Sequence, residues 1–415
     1  MKLYEFRFYF VCLVVLIPTL SSCQTQEVYE PLFKCSKIMH EQYGVCSHIS
    51  RKGTKYEYDT REQDLSMIDK IRANYIRTDF DWIPIKTNQE GKLNYLYLDS
   101  MIASVNHSNS SLFGIITIDK RNHVTREWLE YVRQTCERYK NDVKYWEMLN
   151  EVDLAYHYVP GFYSNEYVSF LKEGYRIIKK TNKRAQITFS GFSNIYSPKI
   201  DSIFSHEVGS YFDIMNVHTY SLPQSGPEVF ISYFNKVYEK MNQYNIHKPV
   251  WLSETGGHTC TKDGVSENVQ SERLPRIFLI SFALGVDKVF WYKSRSNELN
   301  INDRECHFGL WHKDYSPKPA FYAYKTLTRM CPNKSTRPKL VRFGDIYIAS
   351  WKRPDRKKVW ALWTSNNNET VALNIKGDYK VYDNHGKEIP KTLGSAYLTP
   401  SVIYILGAKS VNLQE

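Results

Sequence analysis

Two glutamates follow apolar runs that read as buried strands: Glu151 closes "YWEMLNE", Tyr145 to Glu151, and Glu254 lies in "WLSETGG", Trp251 to Gly257. A strand core rejects a carboxylate, so each belongs at the open end of its strand, as does Asn150 beside Glu151. A pair of carboxyl groups can divide one reaction between them. The protonated member gives its proton to a departing oxygen, and the ionised member attacks the carbon which that oxygen leaves.

Those two residues need a scaffold that brings distant strand ends together. Eight short apolar segments fit the need: "YGVCSHI" (43–49), "YIRTDF" (75–80), "LFGIITI" (112–118), "VKYWEML" (143–149), "QITFSG" (186–191), "DIMNVH" (213–218), "PVWLS" (249–253) and "DKVFWY" (287–292). Between them lie segments of helical period. The clearest is "TREWLEYVRQTCERY", where Leu129, Val132, Cys136 and Tyr139 recur at spacings of three and four behind a Thr125 cap. The strands start 27–43 residues apart, the length of a βα unit, and eight such units predict a closed (β/α)8 TIM barrel. A doubly wound open sheet is the competing topology, but no Gly-rich phosphate fingerprint follows the first strand. In a barrel the carboxyl ends of all strands open on one face, so Glu151 and Glu254 meet there. Two carboxylates across such a mouth suit the hydrolysis of a glycosidic bond, and a separation of about 5–5.5 Å would imply a covalent intermediate.

From Pro332 the pattern becomes short alternating segments with Asn, Gly and Asp turns, which predicts a C-terminal antiparallel β-sandwich. The expected organisation is a signal peptide (1–22), a leader (23–42), the barrel (43–331) and the sandwich (332–415). At the start, basic Lys2 and Arg7 precede an apolar run from Phe8 to Leu20 and small residues before Cys23, the pattern of an export signal. The run is shorter than the roughly 20 residues of a membrane span. Leu20-Ser21-Ser22-Cys23 resembles the lipobox of bacterial lipoproteins. That resemblance implies acylation of Cys23 and attachment to a membrane of the bacterial cell envelope by lipid, at the outer-membrane surface or on the periplasmic face; a plain secretory signal cut nearby is the other reading.

Outside the cytoplasm disulfides are permitted. Removing Cys12 and Cys23 leaves Cys35, Cys46, Cys136, Cys260, Cys306 and Cys331. "GGHTC" and "NDRECH" place His258, Cys260, Cys306 and His307 in neighbouring loops, where a Cys260–Cys306 disulfide or a zinc site of those four residues would form. The formal charge of +11 suits either an acidic partner or a solvated basic surface. No basic run of nucleic-acid type occurs. No GxSxG elbow, Walker loop, HExxH or EF-hand pattern is present, which leaves acyl transfer, nucleotide hydrolysis and zinc proteolysis without support.

The Asn-Glu pair ending the fourth predicted strand and the glutamate ending the seventh resemble clan A of the glycoside hydrolases, over about residues 43 to 330. The trailing domain looks like the sandwich of β-xylosidase-like members. The resemblance implies a retaining enzyme that needs no cofactor or resident metal, with Glu151 as general acid/base, Glu254 as nucleophile and Asn150 on the 2-hydroxyl of the cleaved sugar. It also implies that Arg77 keeps the nucleophile ionised, that His218 and Tyr220 orient nucleophile and sugar, and that Trp291 is the aromatic floor. His48, Trp82, Asp119 and Asn194 lie near strand ends without a motif. Lys293 and Arg295, with His258, would meet a uronate or sulfate if the glycan is acidic; surface solvation is their plainer use. A glycan-binding lipoprotein without turnover is the alternative function.

Overall fold

The expected strands form because apolar, β-branched and aromatic residues can fill both faces of a buried parallel sheet. The computed structural model describes residues 26–50, 61–81, 93–117, 125–154, 164–221, 223–365, 368–391 and 394–414. Cys23, Trp82 and Asp119 lie outside them.

The barrel strands are β2 (Tyr43–Cys46), β3 (Tyr75–Phe80), β4 (Ser111–Ile116), β5 (Val143–Met148), β6 (Gln186–Thr188), β7 (Met215–His218), β8 (Val250–Thr255) and β9 (Lys288–Tyr292). They pair in parallel in the order β6-β5-β4-β3-β2-β9-β8-β7. Bridges from Thr188 to Ile214 and from Phe192 to Val217 close the ring between β6 and β7. The barrel predicted from strand spacing is therefore the fold, and its mouth is built from the residues just past each strand.

Alternation decides which side chains fill the ring. Tyr75, Phe113, Tyr145, Trp251 and Phe290 pack inside it, while Ile76, Trp146, Val289 and Trp291 join the layer between strands and helices. The helices cover that outer layer. Around Arg126–Arg138 the helix starts as its sequence suggests, with the Trp128 amide donating to the Thr125 hydroxyl at 3.2 Å, a cap worth about 1 kcal/mol. It buries Trp128, Tyr131, Val132, Thr135 and Cys136.

Two expectations change. The segment read as a leader contains a strand, β1 (Gln26–Tyr29), antiparallel to β10 (Lys339–Phe343). It becomes the edge of a seven-stranded sheet whose other strands come from the C-terminal region, and a three-stranded sheet completes that region. The sandwich does not hang from a linker. Tyr347, Trp351, Trp363 and Tyr404 belong to the same apolar cluster as the barrel's outer layer. Glu228, which also accepts from Arg276 Nε at 3.0 Å within the barrel, accepts across the boundary from Trp363 Nε1 at 2.9 Å.

The second change concerns sulfur. Cys35, Cys46, Cys136, Cys260, Cys306 and Cys331 are all free thiols. The Cys260–Cys306 disulfide does not form, because the Cys260 thiol faces His258 and Asp263 instead. Among the described residues no helix is long and apolar enough to cross a membrane.

The shared core makes barrel and sandwich one cooperative unit. Trp363→Ala is expected to lower stability by about 3–5 kcal/mol, in a single urea transition reported alike by fluorescence and circular dichroism. Two separated transitions, with only the smaller one shifted, would contradict the shared core.

Candidate active site

A buried guanidinium organises the mouth. Arg77 points inward from β3, in register with Tyr75 below it, and is 3% exposed. Its Nε and Nη2 form a fork to the Glu147 carboxylate at 2.7 and 3.0 Å. Nη1 reaches Glu254 Oε1 at 2.6 Å, and Nη2 also meets Asn150 Oδ1 at 2.7 Å. One cation thus ties β3, β5 and β8 to the segment after β5. A guanidinium has donors only, so the contact to Asn150 fixes its amide with the oxygen toward Arg77.

Glu147 was not singled out from the sequence. It is fully buried inside the apolar "YWEM" of β5, two residues after Tyr145 and on the same inward face. That parity is the signal: a carboxylate aimed into a barrel demands a cation. Gly191 also went unnoticed. Its amide donates to Glu147 at 2.9 Å, its carbonyl accepts from the Glu151 amide at 3.1 Å, and a Cβ there would lie 2.0 Å from His218 Nε2. Only glycine lets His218 lie against this backbone.

The two expected carboxylates do converge, with one oxygen of each within 4.8 Å of the other and of a His218 ring nitrogen. They sit in different surroundings. Glu254 is 8% exposed and accepts from Arg77 and, at 2.7 Å, from the Tyr220 hydroxyl. Burial alone would raise its pKa, but the charges of His218 and Arg77 and the bonds from Tyr220 and Arg77 hold the carboxyl below the usual range. Glu151 goes the other way: burial raises it, and the negative charge of Glu254 adds to this, against the opposing bond from His218. Burial and the charge of Glu254 also push the Tyr220 phenol well up, so it remains a donor.

His218 is fully buried between the pair. Its Nδ1 is 3.0 Å from Glu151 and 3.6 Å from Glu254, and Nε2 is 2.9 Å from the Ser253 hydroxyl. It is therefore nearer to Glu151 than to Glu254, the partner expected for it. Tyr220 is on Glu254 as expected. Leu149 and Glu151 both adopt left-handed backbone, with φ of 63° and 47°. Such strain costs about 1–3 kcal/mol per residue and gathers where surrounding contacts over-determine a functional geometry.

Trp291 does not reach the cleft. It is fully buried in the outer layer, where its indole donates to the Phe308 carbonyl at 3.4 Å. The next residue has the inward parity: Tyr292 faces Phe308 and Tyr220 edge-on, at centroid distances of 5.2 and 6.4 Å, with Phe308 tilted 5.7 Å from Tyr220. His48 packs edge-on to Tyr292 at 6.1 Å and contacts Asp79 at 3.3 Å. Asn194 is exposed and turns back on its own loop, its oxygen accepting from the Tyr196 amide.

Lys293 and Arg295 are not surface cations. Lys293 is buried and donates to the Glu305 carbonyl at 2.6 Å. Arg295 lies 3.6 Å from Asp64 and stacks over Tyr315. The four residues weighed as a zinc site also separate. His258 and Cys260 group with Asp263, while His307 Nε2 is taken by the Asn300 carbonyl.

No model of a protein family matches the chain, and no curated protein matches it. Solved structures do. A family 39 glycoside hydrolase from the gut symbiont Bacteroides cellulosilyticus aligns over 88% of this chain and 81% of its own, with a TM-score of 0.73 and 17% identity. A glucosidase from Croceicoccus marinus covers 92% of this chain and 98% of its own, at a TM-score of 0.67 and 12% identity. A monomeric β-xylosidase from Caulobacter crescentus covers 92% and 99%, at 0.64 and 12%. The likeness establishes a shared two-part fold, a parallel barrel with separate antiparallel sheets.

Arg77 answers two buried carboxylates, so removing it takes from both the cation they share. Arg77→Leu is expected to cost about 3–5 kcal/mol of stability by denaturant titration. Arg77→Lys is expected to recover part of that, because the charge stays and the fork is lost. A loss below about 1 kcal/mol for the leucine variant, the size of an exposed pair, would show that the cluster is not held by Arg77.

Proposed function

We propose that the chain is a retaining glycoside hydrolase of clan A type acting on a β-linked glycan, with Glu254 as nucleophile and Glu151 as general acid/base. The observation that supports this best is the opposite displacement of two neighbouring carboxyls: Glu254 is held below the usual carboxylate range and Glu151 is pushed above it. One oxygen of each lies within 4.8 Å of one of the other, a closeness that suits the roughly 5–5.5 Å spacing of retaining enzymes.

In this reading the Glu254 carboxylate attacks the anomeric carbon while the proton of Glu151 passes to the leaving oxygen, which breaks the glycosidic bond and forms a glycosyl ester. Glu151, now a carboxylate, takes a proton from water as that water attacks the same carbon and releases Glu254. Arg77 and Tyr220 keep Glu254 ionised and aimed. His218 steadies Glu151. Asn150, its oxygen fixed by Arg77, presents its amide hydrogens to the 2-hydroxyl. Tyr292 and Phe308 take the apolar wall assigned earlier to Trp291.

Export and attachment through Cys23 to the bacterial cell envelope are part of the same proposal, on the N-terminal pattern alone. With Lys293 and Arg295 engaged internally, the case for an acidic glycan rests on the overall charge, and a neutral β-glycan is the first substrate to try.

The soluble chain, residues 24–415, is expected to release reducing ends from at least one member of a panel of neutral and acidic β-glycans, and the β anomer first by proton NMR. Glu151→Ala is expected to lower kcat by about 10²–10⁴-fold, and Glu254→Ala to abolish turnover. Unchanged rates in both variants, or the α anomer first, would contradict the mechanism; binding without product on every glycan would favour the glycan-binding lipoprotein. The pH dependence has a worked sign. Activity falls as pH drops through the depressed pKa of Glu254, where the nucleophile gains a proton. It also falls as pH rises through the elevated pKa of Glu151, where the acid is lost. Glu151→Gln is expected to remove the alkaline limb of kcat/KM and leave the acidic one.

A further inference from the structure

The loop after β8 holds a second group of chemically active side chains, four residues beyond Glu254. His258, Cys260 and Asp263 bring one ligand atom each to within 4.8 Å of the others. The Cys260 sulfur is 3.1 Å from His258 Nδ1 and 3.1 Å from Asp263 Oδ1, and His258 Nε2 is 3.9 Å from the same oxygen. Sulfur, imidazole and carboxylate are the ligand types of zinc.

The loop is folded to keep them there. The Val265 amide donates to the His258 carbonyl at 3.0 Å and the Gly264 amide to the Cys260 carbonyl at 3.1 Å, so the segment closes on itself. A Cβ on Gly264 would meet the backbone of Cys260 at 2.5 Å, so the turn needs glycine at that point. The His258 ring is braced edge-on against Phe308, with centroids 5.3 Å apart. Cys260 is 3% exposed, whereas the Asp263 side chain is 63% exposed, which leaves one side of the group open to solvent.

We propose that His258, Cys260 and Asp263 bind one zinc ion, with a water molecule as the fourth ligand. With metal–ligand bonds of about 2.0–2.3 Å at tetrahedral angles, neighbouring ligand atoms are roughly 3.5 Å apart. With Nδ1 as the histidine ligand, the two sulfur edges therefore open by about half an ångström, a movement within reach of side-chain rotation. Binding deprotonates the Cys260 thiol, and its proton leaves to solvent. Thiolate and imidazole together favour zinc over magnesium or calcium, which take oxygen ligands. The ion would clamp the loop whose Phe308 contact borders the cleft. It takes no part in bond cleavage, and the inference does not rest on the glycosidase reading.

Cobalt(II) is the probe, added to the reduced chain of residues 24–415. A thiolate-to-cobalt charge-transfer band in the near ultraviolet, with tetrahedral visible bands saturating at one equivalent and displaced by zinc, is expected. Cys306→Ser keeps the band and Cys260→Ser loses it. Asp263→Ala, a change at an exposed side chain that leaves the fold intact, weakens binding. The other three-ligand group, Glu151, His218 and Glu254, has no sulfur and cannot give this band. Absence of the band from the unmutated chain, its survival in Cys260→Ser, or binding unaffected by Asp263→Ala would overturn the proposal.

Discussion

The site depends on one guanidinium taken out of water. Arg77 makes four hydrogen bonds, to Glu147, Glu254 and Asn150, and every other feature of the mouth follows from where those acceptors must stand. Glu147 absorbs the fork and holds the cation in place. Glu254 receives what remains of its field and, with the charge of His218, is held below the usual range, while burial and then the charge of Glu254 raise Glu151. The ion cluster is poor evidence for stability in itself, since desolvation of buried charges offsets much of their attraction. Its value is positional: three strands from different parts of the chain must be in register before the charges can be satisfied.

The barrel was legible in the sequence because each of its strands is a short apolar run set off by turns and followed by a helical period, and because a Thr125 cap and a regular face mark the helix it starts. Glu151 and Glu254 were legible for a related reason, as carboxylates placed where an apolar run ends. Parity was the point of failure. Trp291 and Tyr292 are adjacent aromatics, and only the register of β9 against its neighbours decides which one enters the barrel. The same two-residue period would have found Glu147, had the inward positions of β5 been traced from Tyr145. The strand Gln26–Tyr29 left no comparable trace: it is short, largely exposed and paired with residues more than 300 positions away. Cys260 and Cys306 sit in neighbouring loops, but proximity of loops does not fix the direction of a thiol.

Barrel and sandwich share a core on the helical side of the barrel, through Trp351, Trp363 and Tyr404, and Glu228 binds across their boundary. The strand ends are left to the loops. There Tyr220, Tyr292 and Phe308 form a cluster of rings beside the two carboxyls, apolar surface of the kind that a sugar face can lie against. Fold and charge network thus fix where two carboxyls of unlike surroundings meet, while what enters the mouth is left to loop residues.

The central claim is that Arg77, His218 and Tyr220 separate the protonation of two adjoining glutamates. Carbon-13 NMR of the carboxyl groups, assigned with Glu151→Gln and Glu254→Gln, measures this without any substrate. The account predicts that Glu254 titrates below the ordinary glutamate range and Glu151 above it, and that Glu151 moves down when Glu254 is replaced by glutamine. Titration of both groups together in the ordinary range, or in the opposite order, would contradict it.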